Sequence, residues 1–159
     1  MSRRGTCVIH TCPSALRSHV EWAIQGILGS GVRLAWKPQP RIGGTYRCVI
    51  NWRDTKNRAP EIASALRTWH YLRFEVRDED AHGGEMFRFT PDLGMHRSEI
   101  DQLGSVLVNE NLIFEALAST FDEEALRSAL ARVLGTEWEV ELEPLRGVDH
   151  QEVEHLRAI

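Results

Sequence analysis

Apolar side chains recur at two spacings in the first part of this chain, and each spacing predicts one type of secondary structure. The apolar run at residues 6–12 predicts a strand, and Pro13 suits the first position of a following helix. In that helix, residues 16–27 carry apolar side chains at helical spacing. Residues 32–38 and 45–53 instead alternate with period two on either side of a turn composition, so they predict a hairpin.

The same pattern then repeats. A second helix is predicted to begin near Pro60, because positions 62, 65, 66 and 69 are apolar. Residues 71–77 alternate as a strand, and residues 86–90 predict a further strand that pairs with it. The order strand, helix, strand, strand, helix, strand is the split βαβ pattern of ferredoxin-like folds. The sequence therefore predicts an α+β fold, with a ferredoxin-like sheet extended by one hairpin strand.

Beyond residue 90 the pattern mostly indicates helices. Residues 105–108 predict a short strand, and residues 109–119 a helix capped by an asparagine at position 109 or 111. Thr120 and Glu123 match a capping box that precedes another helix, which Gly135 can end.

Residues 137–144 fit two structures. Glutamates alternate with Trp138, Val140 and Leu142, as in a strand, but Trp138, Leu142 and Leu145 also have the i, i+4, i+7 spacing of a helix. With no linker in the sequence, we expect one domain over residues 1–159. It would comprise a ferredoxin-like core at 1–90 and an acidic, mostly helical C-terminal segment at 91–159.

Composition and charge narrow the class of function. The 159 residues are 42% hydrophobic and 26% charged, as in ordinary globular proteins, and no apolar run approaches the roughly 20 residues of a membrane helix. Three cysteines, an odd number, favour a reducing compartment, so we expect a cytoplasmic protein. Residues 1–60 hold ten basic and two acidic residues, whereas the remaining 99 hold nine basic and 21 acidic. This asymmetry predicts an anionic partner, either external or internal, for the basic part.

The predicted strands place apolar side chains on one side of the sheet and basic side chains on the other. Both helices of a ferredoxin-like fold pack on one face, so the basic face is either open or covered by additional structure. An open face would bind an acidic protein partner or an anionic small molecule. The predicted ligand-binding residues are Arg33, Lys37, Arg47, Arg53, Tyr71, Arg73, Arg77 and Arg88.

The alternative is an intramolecular cover. The glutamates at 137, 139, 141 and 143 could lie over the basic face and form ion pairs that are individually weak. Nucleic acid is a less suitable ligand for an open face, because only Tyr71 is in register to stack on a base.

Metal and nucleophile motifs are poorly represented. Cys7, His10 and Cys12 lack metal-ligand spacing, because alternation along a strand points Cys7 away from the other two. Cys12 could have a lowered pKa at the start of a helix. We find no nucleophile elbow and no phosphate-binding glycine loop. The sequence therefore predicts no metal and no cofactor.

Acid–base catalysis has three candidate residues, His70, Asp92 and His96. An isolated histidine is more often a helix-flank or surface residue, and Pro-Asp more often marks a turn. We therefore assign no catalytic residue and predict a non-enzymatic binding or regulatory module. The alternatives are a small enzyme on the ferredoxin-like scaffold and a nucleic-acid-binding protein.

Five segments together carry a family resemblance: "HVEWA" (19–23), "WKPQP" (36–40), "ALRTWHYLRFEV" (65–76), "TPDLG" (90–94) and "LGTEWEVELEPLR" (134–146). In this order and spacing they resemble the actinobacterial domain-of-unknown-function family numbered 3145. The resemblance implies a small cytoplasmic protein of high-GC Gram-positive bacteria, with no assigned activity and a link to acyl or fatty-acid metabolism. For the enzyme alternative, the implied substrates are acyl or coenzyme A compounds. The family pattern fixes Trp69 but neither His70 nor Asp92, which weakens a catalytic role for both.

Overall fold

The structure is a computed structural model that describes residues 2–148. The strands are β1 Arg3–Pro13, β2 Lys37–Pro38, β3 Thr45–Asp54, β4 Arg73–Asp80, β5 Gly83–Thr90, β6 Gly94–Ile100 and β7 Val106–Leu107. The α-helices are α1 Arg17–Leu28, α2 Ala59–Leu66, α3 Glu110–Ser119, α4 Glu123–Leu134 and α5 Thr136–Arg146.

All seven strands belong to one antiparallel sheet, in the order β2-β3-β1-β4-β5-β6-β7. β1 lies between β3 and β4, whereas β4, β5 and β6 follow each other as a meander. The described residues therefore form an α+β fold with a seven-stranded antiparallel sheet and five α-helices. None of these helices has the length and apolar character needed to cross a lipid bilayer.

α1 and α2 pack on what we call the first face of the sheet. Val20 and Ile24 of α1, with Ile62 and Leu66 of α2, are completely buried there against the apolar side chains of the strands. The sheet residues of this core are Cys7, Ile9, Cys12, Cys48, Ile50, Phe74, Val76 and Phe89. The predicted core side of the sheet is thus confirmed for these strands.

α5 packs on the opposite face, which we call the second face. Trp138, Leu142 and Leu145 are buried, whereas Val140 is 71% exposed. These exposures follow the helical spacing and not the period of a strand, so residues 137–144 form a helix. Burial of each large apolar side chain stabilises this docking by about 1.5–3 kcal/mol.

Three local predictions are wrong. Only Lys37–Pro38 of the predicted strand 32–38 pairs with β3, so residues 32–36 lie outside the ladder. Leu34 still packs into the core without strand pairing.

The second wrong prediction concerns the start of α4. α4 is capped by Asp122, whose carboxylate accepts from the Ala125 N–H at 2.8 Å. Thr120 does not form the capping box, because its hydroxyl donates to Ala116 O of α3 at 2.6 Å.

The third error concerns β1. The register of β1 shifts between Ile9 and Cys12, an irregularity of the β-bulge type. The extra residue returns Cys12 to the first face with Cys7, while His10 stays on the second face. Simple alternation had placed Cys12 with His10.

Candidate functional site

Strand register defines the side chains of the second face, because residues paired across neighbouring strands share a face. They are Arg4, Thr6, Val8 and His10 of β1, Arg47, Val49, Asn51 and Arg53 of β3, Arg73, Glu75, Arg77 and Glu79 of β4, Met86 and Arg88 of β5, and His96 and Ser98 of β6. α5 and the end of α4 cover one part of this face. A solvent-accessible cleft occupies another part.

Arg146 of α5 links the helix to the sheet. Its guanidinium donates to both carboxylate oxygens of Glu75, with the Nε to Oε2 distance at 2.8 Å, and to Glu139 Oε2 at 2.7 Å. His10 Nε2 lies 2.6 Å from the same Glu75 carboxylate. Burial alone would raise the pKa of Glu75, but the hydrogen bonds from His10 and Arg146 lower this pKa to about 2. Glu75 is therefore a carboxylate at neutral pH.

Arg88 is the most deeply buried of the arginines beneath α5, with 1% of its surface exposed. Its Nη1 donates to Glu139 Oε1 at 2.6 Å, and its Nη2 donates to Leu134 O at 3.0 Å. Arg73 donates to Glu141 Oε1 at 2.8 Å. The hydrogen bond from Arg146 is the main reason that the pKa of Glu139 is lowered. We call His10, Glu75, Arg88, Glu139 and Arg146 the ionic network.

His96 lies beside the network, and its contacts determine its tautomer. Its Nε2 is 3.0 Å from Val133 O, which can only accept, so Nε2 carries the proton. Its Nδ1 is 3.2 Å from Arg88 Nη2, which can only donate, so Nδ1 is unprotonated. Burial lowers the pKa of His96, in agreement with a neutral ring. The ring also packs against Trp138, with 4.8 Å between the two ring centroids. Both the nitrogens and the ring of His96 are therefore held by structural contacts.

Gly135 joins α4 to α5 directly above Arg88. Its φ of 75° lies in the left-handed region, and a Cβ there would be 2.2 Å from Arg88 Nη2 and 2.8 Å from His96 Cε1. The predicted helix end at Gly135 is confirmed. Glycine is needed for both the turn and the space that the buried guanidinium occupies.

The cleft, which we call the open cleft, has a volume of about 520 Å³. Arginines at positions 4, 53 and 77 line it with Thr6, Gly5, Asn51, Trp52 and Glu79. Thr6 donates its hydroxyl hydrogen to Asn51 Oδ1 at 3.0 Å. Arginine forks and small polar side chains together are suited to carboxylate or phosphate oxygens.

The eight predicted ligand-binding residues do not form one surface. Arg53 and Arg77 line the open cleft, whereas Arg73 and Arg88 lie under α5 and pair with its glutamates. Arg47 is buried, and Lys37 lies beside it in register at the sheet edge.

The remaining two predicted residues, Arg33 and Tyr71, lie outside the strands and are exposed, so the register that placed them with the others does not apply. The open cleft also includes Arg4, which is not among the predicted residues. Continuing the alternation of the first strand back to residue 4 would have identified it.

Among the described residues, no hydrogen bond or ion pair joins any two of the three catalytic candidates. His70 is exposed just after α2, Asp92 is exposed in the turn between β5 and β6, and His96 is engaged as described. Burial raises the pKa of Cys12 to about 12, against a smaller opposing effect of Arg17, so the expectation of a lowered pKa is wrong. Within residues 2–148, no group of three or more His, Cys, Asp or Glu side chains is placed to hold a metal ion.

The roles of His10 and Arg146 are not apparent from the sequence pattern. Glu75 was the one available signal. The predicted strands between residues 33 and 88 place mostly basic side chains on the second face, and Glu75 is the only acidic residue among those positions. A lone acid in that position indicates a local basic partner, but not which one.

The fold and site define an α+β protein in which one antiparallel sheet carries helices on both faces and an ionic network holds the C-terminal helix. Comparison with protein-family models shows that residues 6–158 match the family described as a protein of unknown function, DUF3145. The chain belongs to this family, which confirms the resemblance seen in the sequence. Searches among curated proteins and among solved structures find no significant match.

The double requirement at Gly135 can be measured with a matched pair of variants. Gly94 has the same φ of 75°, but a Cβ there would have no neighbour within 4 Å. We expect Gly94→Ala to lower the free energy of unfolding by roughly 1–2 kcal/mol, from backbone strain alone. Gly135→Ala should cost roughly 1–3 kcal/mol more, because it also displaces Arg88. Equal losses in urea denaturation would show that Arg88 does not occupy this space.

The lowered pKa of Glu75 predicts a specific pH dependence of stability. The folded pKa is about 2 and the ordinary value is 4.5, so the carboxylate stabilises the fold above pH 4.5, and this contribution is lost as pH falls toward 2. In denaturant titrations over this range, Glu75→Gln should remove roughly 3 kcal/mol of the decline. Glu123→Gln, which removes an exposed carboxylate, should keep the wild-type profile. Parallel profiles for Glu75→Gln and wild type would contradict the network.

Proposed function

We propose that this protein is a non-enzymatic binding module on an extended ferredoxin-like sheet, and that its open cleft binds an anionic ligand. The observation that carries the proposal is the convergence of arginines 4, 53 and 77 from three adjacent strands around one accessible cleft. Arg73 and Arg88 form ion pairs with glutamates of α5. Within residues 2–148, the side chains of the three cleft arginines form no such pair. The order β2-β3-β1-β4 and the antiparallel pairing support the ferredoxin-like assignment.

The chemistry of the cleft indicates the class of ligand. Its lining is mainly polar and includes a threonine hydroxyl and an asparagine amide beside the arginines. Such a site suits the phosphates of a small molecule or the carboxylates of an acidic protein segment. The link to acyl metabolism that the family resemblance implies indicates a coenzyme A derivative, whose phosphates rather than its acyl chain would contact the cleft.

The other two functions have less support. An enzyme using His70, Asp92 and His96 would need them near one another, whereas His96 is neutral and hydrogen-bonded through both nitrogens. Nucleic-acid binding would need aromatic side chains that stack on bases, and Tyr71 lies in a turn outside the strands. The three cysteines are free and buried, which is consistent with a cytoplasmic location.

The proposal predicts binding that depends on the arginines of the cleft. We would titrate the protein with coenzyme A, inorganic pyrophosphate and a polyglutamate peptide by calorimetry at low ionic strength. At least one of these probes should bind, with an affinity that falls as salt is added. Arg53→Glu combined with Arg77→Glu should weaken that binding by about 100-fold, since a hydrogen bond to a charged group is worth about 1.5–3 kcal/mol.

The matched control combines Arg33→Glu with Arg127→Glu, which reverses two exposed arginines outside the cleft. It should bind the probe nearly as wild type does. If no probe binds, or if the cleft variant and the control lose affinity equally, the cleft is not the anion site. A preference for pyrophosphate or coenzyme A would identify a phosphate ligand, and a preference for polyglutamate an acidic segment.

A further inference from the structure

α3 and α4 form a helical hairpin that buries very little of itself within the described residues. In α3 only Ala116 is buried, and every residue of α4 is at least partly exposed to solvent. α3 packs mainly on α4, with Leu112, Ala116 and Ser119 lining the groove between them. A helix of ten residues has little stability by itself, so α3 depends on such contacts.

Apart from Leu112, the bulky apolar side chains of α3 lie on the side that faces away from this groove. Ile113, Phe114 and Leu117 recur at i, i+1 and i+4 of the helix, and Phe121 follows in the connection between α3 and α4. Phe114 is 62% exposed, Leu117 55% and Phe121 97%. We call these four residues the α3 stripe. Large apolar side chains that are grouped and exposed in this way mark interaction surfaces more often than chance placement does.

The charged side chains of residues 110–124, the segment that carries the stripe, are all acidic, and Glu123 among them pairs with Arg127 of α4. Glu110 precedes it on the same side of the helix, and Asp122, Glu123 and Glu124 follow it. Residues 110–124 contain five acidic residues and no Lys, Arg or His. An occupant of the stripe therefore has to bring apolar side chains to its centre and positive charge to both ends.

From this arrangement we propose that the α3 stripe docks an amphipathic helix of a partner protein, whose apolar face is flanked by Lys or Arg. The helical part of the stripe, from Ile113 to Leu117, extends over about 6 Å at 1.5 Å per residue. This length matches apolar anchors at i and i+4 of a docked helix, and Phe121 extends the apolar surface beyond the end of α3. Such a partner buries the exposed phenylalanines and neutralises the flanking acids at the same time.

A second copy of the chain fits the stripe less well. A two-fold interface brings the same patch of both subunits together. Parallel stripes would place Glu110 beside Glu110, and antiparallel stripes would place Glu110 beside the acids at 122–124. Like charges would face each other in both cases.

The test uses three labelled synthetic peptides of about 18 residues, long enough to form an amphipathic helix. The first carries Leu on one face and Lys on the other, the second replaces Lys with Glu, and the third scrambles the Leu/Lys sequence. Fluorescence anisotropy with the full chain should show that the first binds at least about tenfold more tightly than the others. Phe114→Ala and Leu117→Ala should each weaken it by about tenfold. Both positions are exposed and helical, and Ala favours the helix, so the fold is retained.

Trp22→Ala and Leu103→Ala are the matched controls, because they truncate exposed apolar residues away from α3. They should bind the Leu/Lys peptide as wild type does, and so should the Arg53→Glu, Arg77→Glu variant of the open cleft. Equal binding of the scrambled peptide, no effect of the α3 variants, or no binding up to about 1 mM would overturn the proposal. A dimer in sedimentation velocity that Phe114→Ala abolishes would also overturn it, in favour of a second copy.

Discussion

The contact of α5 with the second face is the constraint on which the rest of the structure depends. A seven-stranded sheet covered by α1 and α2 on one side has a second side that also has to be covered or solvated. α5 covers part of it with Trp138, Leu142 and Leu145, while Arg146 binds Glu75 and Glu139. Apolar burial supplies most of the stabilisation, since isolated ion pairs are worth little. The ionic network fixes the orientation of the helix, because an unpaired Arg88 would be costly in the interior.

The position of α5 also divides the basic residues into two sets with different roles. Arg73 and Arg88 serve the fold, because the acidic half of the chain neutralises them internally. Arg4, Arg53 and Arg77 lie around the open cleft, where we propose that a ligand binds. Of the two explanations that the charge asymmetry allowed, the internal one holds for Arg73 and Arg88. An external anionic partner stays a prediction for the basic residues that face solvent.

Much of the sheet could be predicted because the alternation of its strands is regular. Phe74 and Val76, and Cys48 and Ile50, point to the core as expected. β6 was not predicted, because Arg97, Ser98 and Glu99 give it polar side chains on both faces. It forms a strand because it pairs along its whole length with β5.

The site was harder to predict, because single local features decide it. The bulge in β1 changes the side on which Cys12 lies, and no residue in that run marks the bulge. Residues 137–144 satisfied two periods equally well, and only the exposure of Val140 distinguishes them. Which basic residues α5 would cover depends on the angle at Gly135 between α4 and α5. A pattern of apolar residues carries no information about that angle.

From these contacts we infer that α5 is a permanent part of the fold and does not open to expose Arg73 and Arg88. Native-state amide hydrogen exchange measures this directly, because it gives the free energy of opening for each segment. We expect the amides of α5 to exchange with the same free energy as those of β1 and β4, close to that of global unfolding. The amides of α3 should exchange much faster. Exchange of α5 as fast as that of α3 would contradict the claim and would make α5 a lid over the basic face.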